Sequence, residues 1–302
     1  MGTPDFSAPA LERLHKEHEV IAVVTQPDKP RGRSGRLMPC PVKEKALELG
    51  LKVLQPESAR EERFAEELKE LAPDVIVVIA YGQILPAEIL DLPEYGCVNV
   101  HASLLPKYRG AAPIQWAVIN GDEFTGVTTM LMNEGLDTGD ILLKKEVKIE
   151  EKETGGSLFE KLSGVGADLM IDTLLALEKG EITPEPQNEE DASKVGLLNK
   201  AMGELDFSRD AAELERLIRG LDPWPGAYTF FRGKKLSLWE ADAAEGNAEA
   251  GVVTEVGRDH IDVGCGSGIL RITRLQAEGK KQMSARDFLN GIKVEAGERL
   301  GR

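Results

Sequence analysis

Cysteine is scarce in this chain. Cys40, Cys97 and Cys265 are the only three, isolated from one another and odd in number, which argues against a disulfide framework and a CxxC metal site alike. No apolar run approaches the roughly 20 residues needed to span a bilayer, and no signal-peptide pattern is recognisable. A reducing, cytoplasmic setting without a membrane partner is expected. Positive charge is also short, with a formal net charge of -15 over 302 residues, a balance that ordinarily counts against nucleic acid as a partner.

The distribution of charge qualifies that total. Residues 206–302 hold 15 basic and 16 acidic residues, so residues 1–205 carry -14 of the -15. Within the acidic part lies one opposite island, Lys29-Pro30-Arg31-Gly32-Arg33-Ser34-Gly35-Arg36, with four positive charges and no acid. Such a run is usually a solvated loop; the sharper reading is a loop that touches a polyanion.

What is present is an alternation of helix and strand. Ser7 can cap a helix running through Leu11 and Leu14, strands are predicted at 20–24, 51–54 and 74–80, and helices at 42–49 and 58–71 lie between them. The 74–80 strand is apolar on both faces, as a central parallel strand is. This predicts an α/β fold, a Rossmann-like, doubly wound, mostly parallel sheet. A helix over 110–120, strands at 128–132 and 141–149 and a long helix over 157–178 complete a first domain, residues 1–180. Residues 181–203 have little periodicity and read as a surface linker. From 204 to 302 a helix at 211–220, the turn Asp222-Pro223-Trp224-Pro225-Gly226 and five short strands predict a small C-terminal OB-like β-barrel domain. Residues 261–268 look like the glycine-rich first motif of nucleoside-cofactor methyltransferases, but only 34 residues follow Gly268. That is too few to complete such a fold, and a hairpin is expected instead.

Chemistry concentrates in residues 99–110. Side chains alternate along a strand, so Asn99 and His101 share a face at its carboxyl end, the ligand edge of a parallel sheet. Downstream, Gly135 and Gly139 bracket a turn carrying Asp137. Amide, imidazole and carboxylate together suit an acyl-transfer site, although singly each has a structural reading: a packed histidine, a turn aspartate, an asparagine satisfying backbone groups. Cys97 has no base near it in sequence and reads as buried packing.

Met1-Gly2-Thr3-Pro4-Asp5-Phe6, Gln26-Pro27-Asp28, Leu37-Met38-Pro39, Ala80-Tyr81-Gly82 with Ile84-Leu85-Pro86, residues 99–115, Leu136-Asp137-Thr138-Gly139, Pro223-Trp224-Pro225, and Gly279-Lys280-Lys281 with Met283-Ser284 resemble the methionyl-tRNA formyltransferase family, in order and over nearly the whole chain. The Asn-x-His-x-Ser-Leu-Leu-Pro-x-x-Arg-Gly segment alone is shared by a wider folate-dependent group that includes glycinamide ribonucleotide and sugar-amine enzymes. The basic loop and the C-terminal domain narrow the resemblance.

The resemblance implies that 10-formyltetrahydrofolate, as cosubstrate, gives its formyl group to the amino group of methionine esterified to initiator tRNA, for translation initiation. Direct attack passes through a tetrahedral intermediate, with no acyl-enzyme and no metal. Asn99 and His101 would donate to its oxyanion, while Asp137 would orient and charge-stabilise the imidazole and help to move the amine's proton. Folate walls are implied at Tyr81, Gly82, Ile84, Leu85 and Pro86 and at Gly135 and Leu136, with Ser103, Leu104, Leu105 and Pro106 shaping the same region. The tRNA contacts fall on Lys29, Arg31, Arg33 and Arg36, Arg33 being the best match to the family's acceptor-stem arginine, and on Arg232, Lys234, Lys235, Lys280 and Lys281. A monomer is expected.

Two departures from the family stand out. The Gly2 turn should follow a buried apolar strand, so Met1 is expected to be an internal methionine, with the first strand lost to a misplaced start and a gap or closed-up seam at the centre of the sheet. Lys194-Val195-Gly196 stands where a Tyr-Ala-Pro-like run is expected. The alternatives are a sugar-amine N-formyltransferase sharing the core, and an inactive, truncated tRNA- or folate-binding relic.

Overall fold

The computed structural model describes residues 1–31 and 35–301. Contacts divide it into two units: Met1–Pro113, Phe124–Lys148 and Phe159–Val195 form the first, and Ile114–Glu123, Ile149–Leu158 and Gly196–Arg302 the second. Of residues 181–203, those up to Val195 fall in the first unit, where Glu185 bridges Ile141 and Lys194 and Val195 pair with Arg109 and Gly110, and those from Gly196 fall in the second.

In chain order the elements up to residue 110 are α1 (Ala8–Glu17), β1 (Val23–Val24), β2 (Lys29–Arg31), β3 (Arg36–Met38), α2 (Pro41–Glu48), β4 (Val53–Leu54), α3 (Glu62–Leu71), β5 (Ile76–Val78), α4 (Ala87–Leu90), β6 (Cys97–His101) and β7 (Arg109–Gly110). Then follow α5 (Pro113–Asn120), β8 (Phe124–Leu131), β9 (Ile141–Lys148), α6 (Gly155–Glu178) and β10 (Lys194–Val195). Phe64, Ala65 and Leu68 give α3 one apolar stripe, which is buried in a core with Val24, Ile76, Val78, Leu85 and Ile89. That helix begins four residues later than its periodicity predicts, because Ser58 and Glu61 close a turn of their own: the Ser58 N–H donates to Glu61 Oε1 at 2.7 Å.

Parallel pairing joins β1 to β4 and β5 to β6. Strands β8 and β9 extend the second sheet antiparallel, in the order β5-β6-β8-β9. A short turn joins these two eight-residue strands, so no crossover helix is needed. All five residues of β6 are buried, as expected of a strand covered on both sides. Between β1 and β5 lies a cavity of about 660 Å³ lined by Val20, Ile21, Val23, Val75 and Val77. Met1 and Gly2 bridge one end of it: the Gly2 N–H donates to Val24 O at 3.0 Å and the Ile79 N–H to Met1 O at 2.9 Å.

The second unit adds α7 (Ala211–Gly220), β11 (Ala227–Phe231), β12 (Lys234–Ala244), β13 (Val253–Val256), β14 (Ile261–Gly264), β15 (Ile269–Ala277), β16 (Met283–Ser284) and α8 (Ala285–Gly291). Asp210 caps α7 by accepting from the Ala212 and Glu213 N–H groups. The strands form one antiparallel sheet in the order β11-β12-β15-β14-β13, with β16 on β15. It is not a closed barrel among the described residues; its two edges are joined by isolated bridges, from Leu300 to Phe231 and from Arg299 to Val252. Residues 265–268 turn between β14 and β15 as a hairpin, with the Cys265 N–H donating to Gly268 O at 3.1 Å.

Candidate active site

Strand β6 carries Asn99 and His101 on one face, with Val78 of β5 beside Asn99 and Thr128 of β8 beside His101. Both side chains are largely buried. His101 Nε2 lies 2.9 Å from the Tyr108 carbonyl oxygen. A carbonyl only accepts, so the proton on this ring sits at Nε2 and leaves Nδ1 to face Asp137. The Nδ1 to Asp137 Oδ2 separation is 3.7 Å, longer than a hydrogen bond. That carboxylate oxygen accepts instead from the Gly110 N–H at 2.7 Å. In the resting site the imidazole is therefore oriented by a backbone carbonyl, and the carboxylate supplies a nearby negative charge. Among the described residues no protein hydrogen bond holds the Asn99 side-chain amide, which leaves its N–H donors available.

The loop after β6 is fixed from β8. Thr128 Oγ1 donates to Ser103 O at 2.7 Å and accepts from the Leu105 N–H at 3.1 Å, while Ser103 Oγ donates to Lys107 O at 2.6 Å. Leu105 is fully buried and Leu104 and Pro106 partly so. Residues 79–86 leave the carboxyl end of β5, parallel to β6, so they emerge at the same edge. There the chain divides by burial: the Tyr81 ring and Leu85 lie in the core of the first unit, whereas Gly82 and Ile84 are exposed and Pro86 partly buried. Among the described residues the Tyr81 hydroxyl has no partner, and burial pushes its pKa up to about 12. Its backbone carbonyl is held by Gln26 Nε2 at 2.9 Å. Gly135 and Leu136 are exposed in the turn that carries Asp137. Ala80, Tyr108, Ala112 and Asp137, all non-glycine, adopt left-handed φ angles of 47, 60, 58 and 54° around this edge; such backbone persists only where its surroundings enforce it.

Arg109, Gln187 and Glu189 were not among the sequence-derived site residues. Arg109 is 1% exposed; its Nε donates to Gln187 Oε1 at 2.9 Å, and its Nη1 and Nη2 donate to Glu189 at 2.9 and 2.8 Å. Gln187 Nε2 donates in turn to the Asp137 and Gly139 carbonyls at 2.9 and 2.8 Å. The guanidinium holds the Glu189 carboxyl below the usual glutamate range. Arg109 stands in the resembling segment, but nothing periodic marks Gln187. The Cys97 thiol is buried and pushed up to about 12 by that burial, the state of an unreactive packed cysteine.

The basic residues fall in two places. Lys29 and Arg36 are exposed on the hairpin of β2 and β3, with Lys29 Nζ on Gln26 Oε1 at 2.7 Å; the backbone of Arg31 belongs to β2, and Arg33 lies outside the described residues. In the second unit the β12/β15 register pairs Leu236 with Ala277, which sets the turn with Arg232, Lys234 and Lys235 at the same end of the sheet as Lys280 and Lys281. All five are exposed. Arg232 is partly neutralised by Glu298 at 2.7 Å, and Lys235 Nζ lies 3.9 Å from the Tyr228 ring centroid.

Both halves of the chain match known families: residues 1–174 match formyl transferase, and residues 197–293 match formyl transferase, C-terminal domain. The chain belongs to the formyl transferase family. Within it, the methionyl-tRNA formyltransferase of Lachnospira eligens is 55% identical over 309 residues, covering 100% of this chain and 98% of that protein. The methionyl-tRNA formyltransferase of Caldanaerobacter subterraneus is 52% identical, covering 98% of this chain and 97% of its own length. Among solved structures, the N-formyltransferase from Helicobacter canadensis in complex with folinic acid and dTDP-3-aminofucose superposes with a TM-score of 0.67 at 17% identity, over 90% of this chain and 97% of that one. That degree of likeness is one of fold. The sugar-amine alternative is therefore not favoured, since the relatives that match at high identity carry the methionyl-tRNA name. No helix among the described residues is long and apolar enough to cross a membrane.

Proposed function

We infer that this protein transfers the formyl group of 10-formyltetrahydrofolate to the amino group of methionyl-initiator tRNA. The observation that carries this reading is the end-to-end match, second unit included, to relatives named methionyl-tRNA formyltransferase. The geometry supplies a chemistry for it. The substrate amine attacks the formyl carbon, and the Asn99 amide N–H groups stabilise the oxyanion that forms. With its Nε2–H fixed on the Tyr108 carbonyl, the neutral His101 ring offers the Nδ1 lone pair. It takes the proton leaving the attacking nitrogen and, once charged beside Asp137, returns it to the departing folate nitrogen as the old C–N bond breaks. Tyr81 to Pro86, Ser103 to Pro106, Gly135 and Leu136 form the folate walls, Tyr81 through its backbone. The hairpin lysine and arginines and the basic end of the second unit bind tRNA phosphates.

The test is transfer of labelled formyl from 10-formyltetrahydrofolate to methionyl-tRNA, with a nucleotide-linked amino sugar as competing acceptor. Label in the aminoacyl-tRNA alone supports the reading. Label in the sugar alone, or folate binding without transfer, overturns it.

A further inference from the structure

We propose that Gln187, braced by Arg109 and Glu189, is a positioning residue for Asp137. The proposal rests on the role given to Asp137 above. Asp137 is held at both ends, by Gly110 on its side chain and by Gln187 on its carbonyl. Its side-chain Oδ2 accepts from the Gly110 N–H at 2.7 Å. Its carbonyl accepts from Gln187 Nε2 at 2.9 Å, and Gln187 Oε1 is fixed in turn by Nε of Arg109, the residue next to Gly110. Both hydrogens of the Gln187 amide are used, the second on the Gly139 carbonyl at 2.8 Å. A carboxylate in its place would put an acceptor against two carbonyls, and an apolar side chain would leave both without this donor.

The brace is directional. Arg109 is a buried cation, and a buried cation needs a partner; Glu189 grips its outer two nitrogens as a fork, and Nε donates to Gln187. Backbone pairing of Lys194 and Val195 with Arg109 and Gly110 joins the same two stretches a second time. Asp137 itself sits at a φ of 54°, a left-handed conformation held in place by its surroundings. The carboxylate stands 3.7 Å from Nδ1 of His101, where a shift of about 1 Å costs on the order of a hundredfold in rate.

The experiment compares Gln187→Ala in the wild-type and Asp137→Asn backgrounds. In the wild-type background kcat should fall about tenfold or more, with KM for tRNA changed less than about twofold. In the Asp137→Asn background the same substitution should cost less than about twofold, because residues acting as one unit are not additive. Equal losses in the two backgrounds, or a kcat within about twofold of wild type, would overturn the proposal. Should Gln187→Ala fail to fold, Glu189→Ala removes an exposed carboxylate and loosens the same brace; it should lower kcat in the wild-type background only. Amide hydrogen exchange gives a readout independent of activity. Faster exchange confined to residues 133–140 in the variant supports the brace, and unchanged exchange there overturns it, even if the wild-type protein formylates nothing and the functional reading falls.

Discussion

At His101 the deciding contact is with a backbone carbonyl. Because Nε2 is tied to Tyr108 at 2.9 Å, tautomer and ring angle are set before any substrate arrives, and the Asp137 carboxylate stands 3.7 Å from Nδ1, beyond hydrogen-bond reach. Asn99 has the opposite character, an amide at a buried strand position with its donors unused among the described residues. If it stabilises the oxyanion, Asn99→Ala should lower kcat by about 10²–10³ with KM little changed, and steady-state kinetics with saturating folate would check this. A loss confined to KM would assign Asn99 to binding instead. Tyr81 lends itself to a stability measurement. Its hydroxyl is buried without a partner among the described residues, and an unmade buried hydrogen bond costs about 1–3 kcal/mol, so Tyr81→Phe should raise the unfolding midpoint in denaturant. A lowered midpoint would mean that the hydroxyl has a partner, such as bound water.

At the level of elements, β6 was legible because period-two alternation puts Asn99 and His101 on one face whatever surrounds them. The glycine-bracketed turn was legible as a turn, and its tightness is now explicit: a Cβ on Gly139 would overlap the backbone carbonyl of Leu131. Since backbone cannot give way as a side chain can, Gly139→Ala should displace the turn, lowering both activity and thermal stability; an unchanged melting curve would refute this. The brace from residues 187–189 was hidden, since it joins positions about 80 apart in sequence through side chains in a stretch without periodicity. Composition there reads as linker, and the long-range pairing of Lys194 and Val195 with Arg109 and Gly110 leaves no mark in it. The strand lengths were likewise overestimated at 20–24 and 74–80, where β1 and β5 keep two and three residues beside the cavity that separates them. Glu189 adds a pH dependence to the brace. The Arg109 hydrogen bonds lower its folded pKa, so its stabilisation is present above the ordinary glutamate range and is lost as pH falls through the folded value. Glu189→Gln should therefore lower the melting temperature at neutral pH and flatten its decline below about pH 5. Parallel decline in both proteins would show that the pair contributes nothing to acid sensitivity.

For the molecule as a whole the question is how a chain of net charge -15 holds a polyanion. Long-range repulsion works against it, and salt screens that repulsion within a Debye length of about 10 Å at 0.1 M. Attraction must come from local contacts that exchange counterions. The five basic residues gathered at one end of the β11–β12–β15 sheet are suited to this, but they are not equal. Arg232 already spends much of its charge on Glu298 and on the Phe231 ring, 4.6 Å away, and Lys235 lies over Tyr228. Among the described residues no carboxylate pairs with Lys234, Lys280 or Lys281, all of which are exposed. Each phosphate contact removed lowers the slope of log K against log salt by about one. Lys280→Ala and Lys281→Ala should each lower that slope by close to one, and Arg232→Ala by clearly less, since the cation it removes is already compensated. Binding of methionyl-tRNA measured between 50 and 200 mM salt separates the cases. Equal slopes for all three variants and the wild type would mean that this end of the sheet does not touch the tRNA backbone, leaving the hairpin of the first unit as the electrostatic contact.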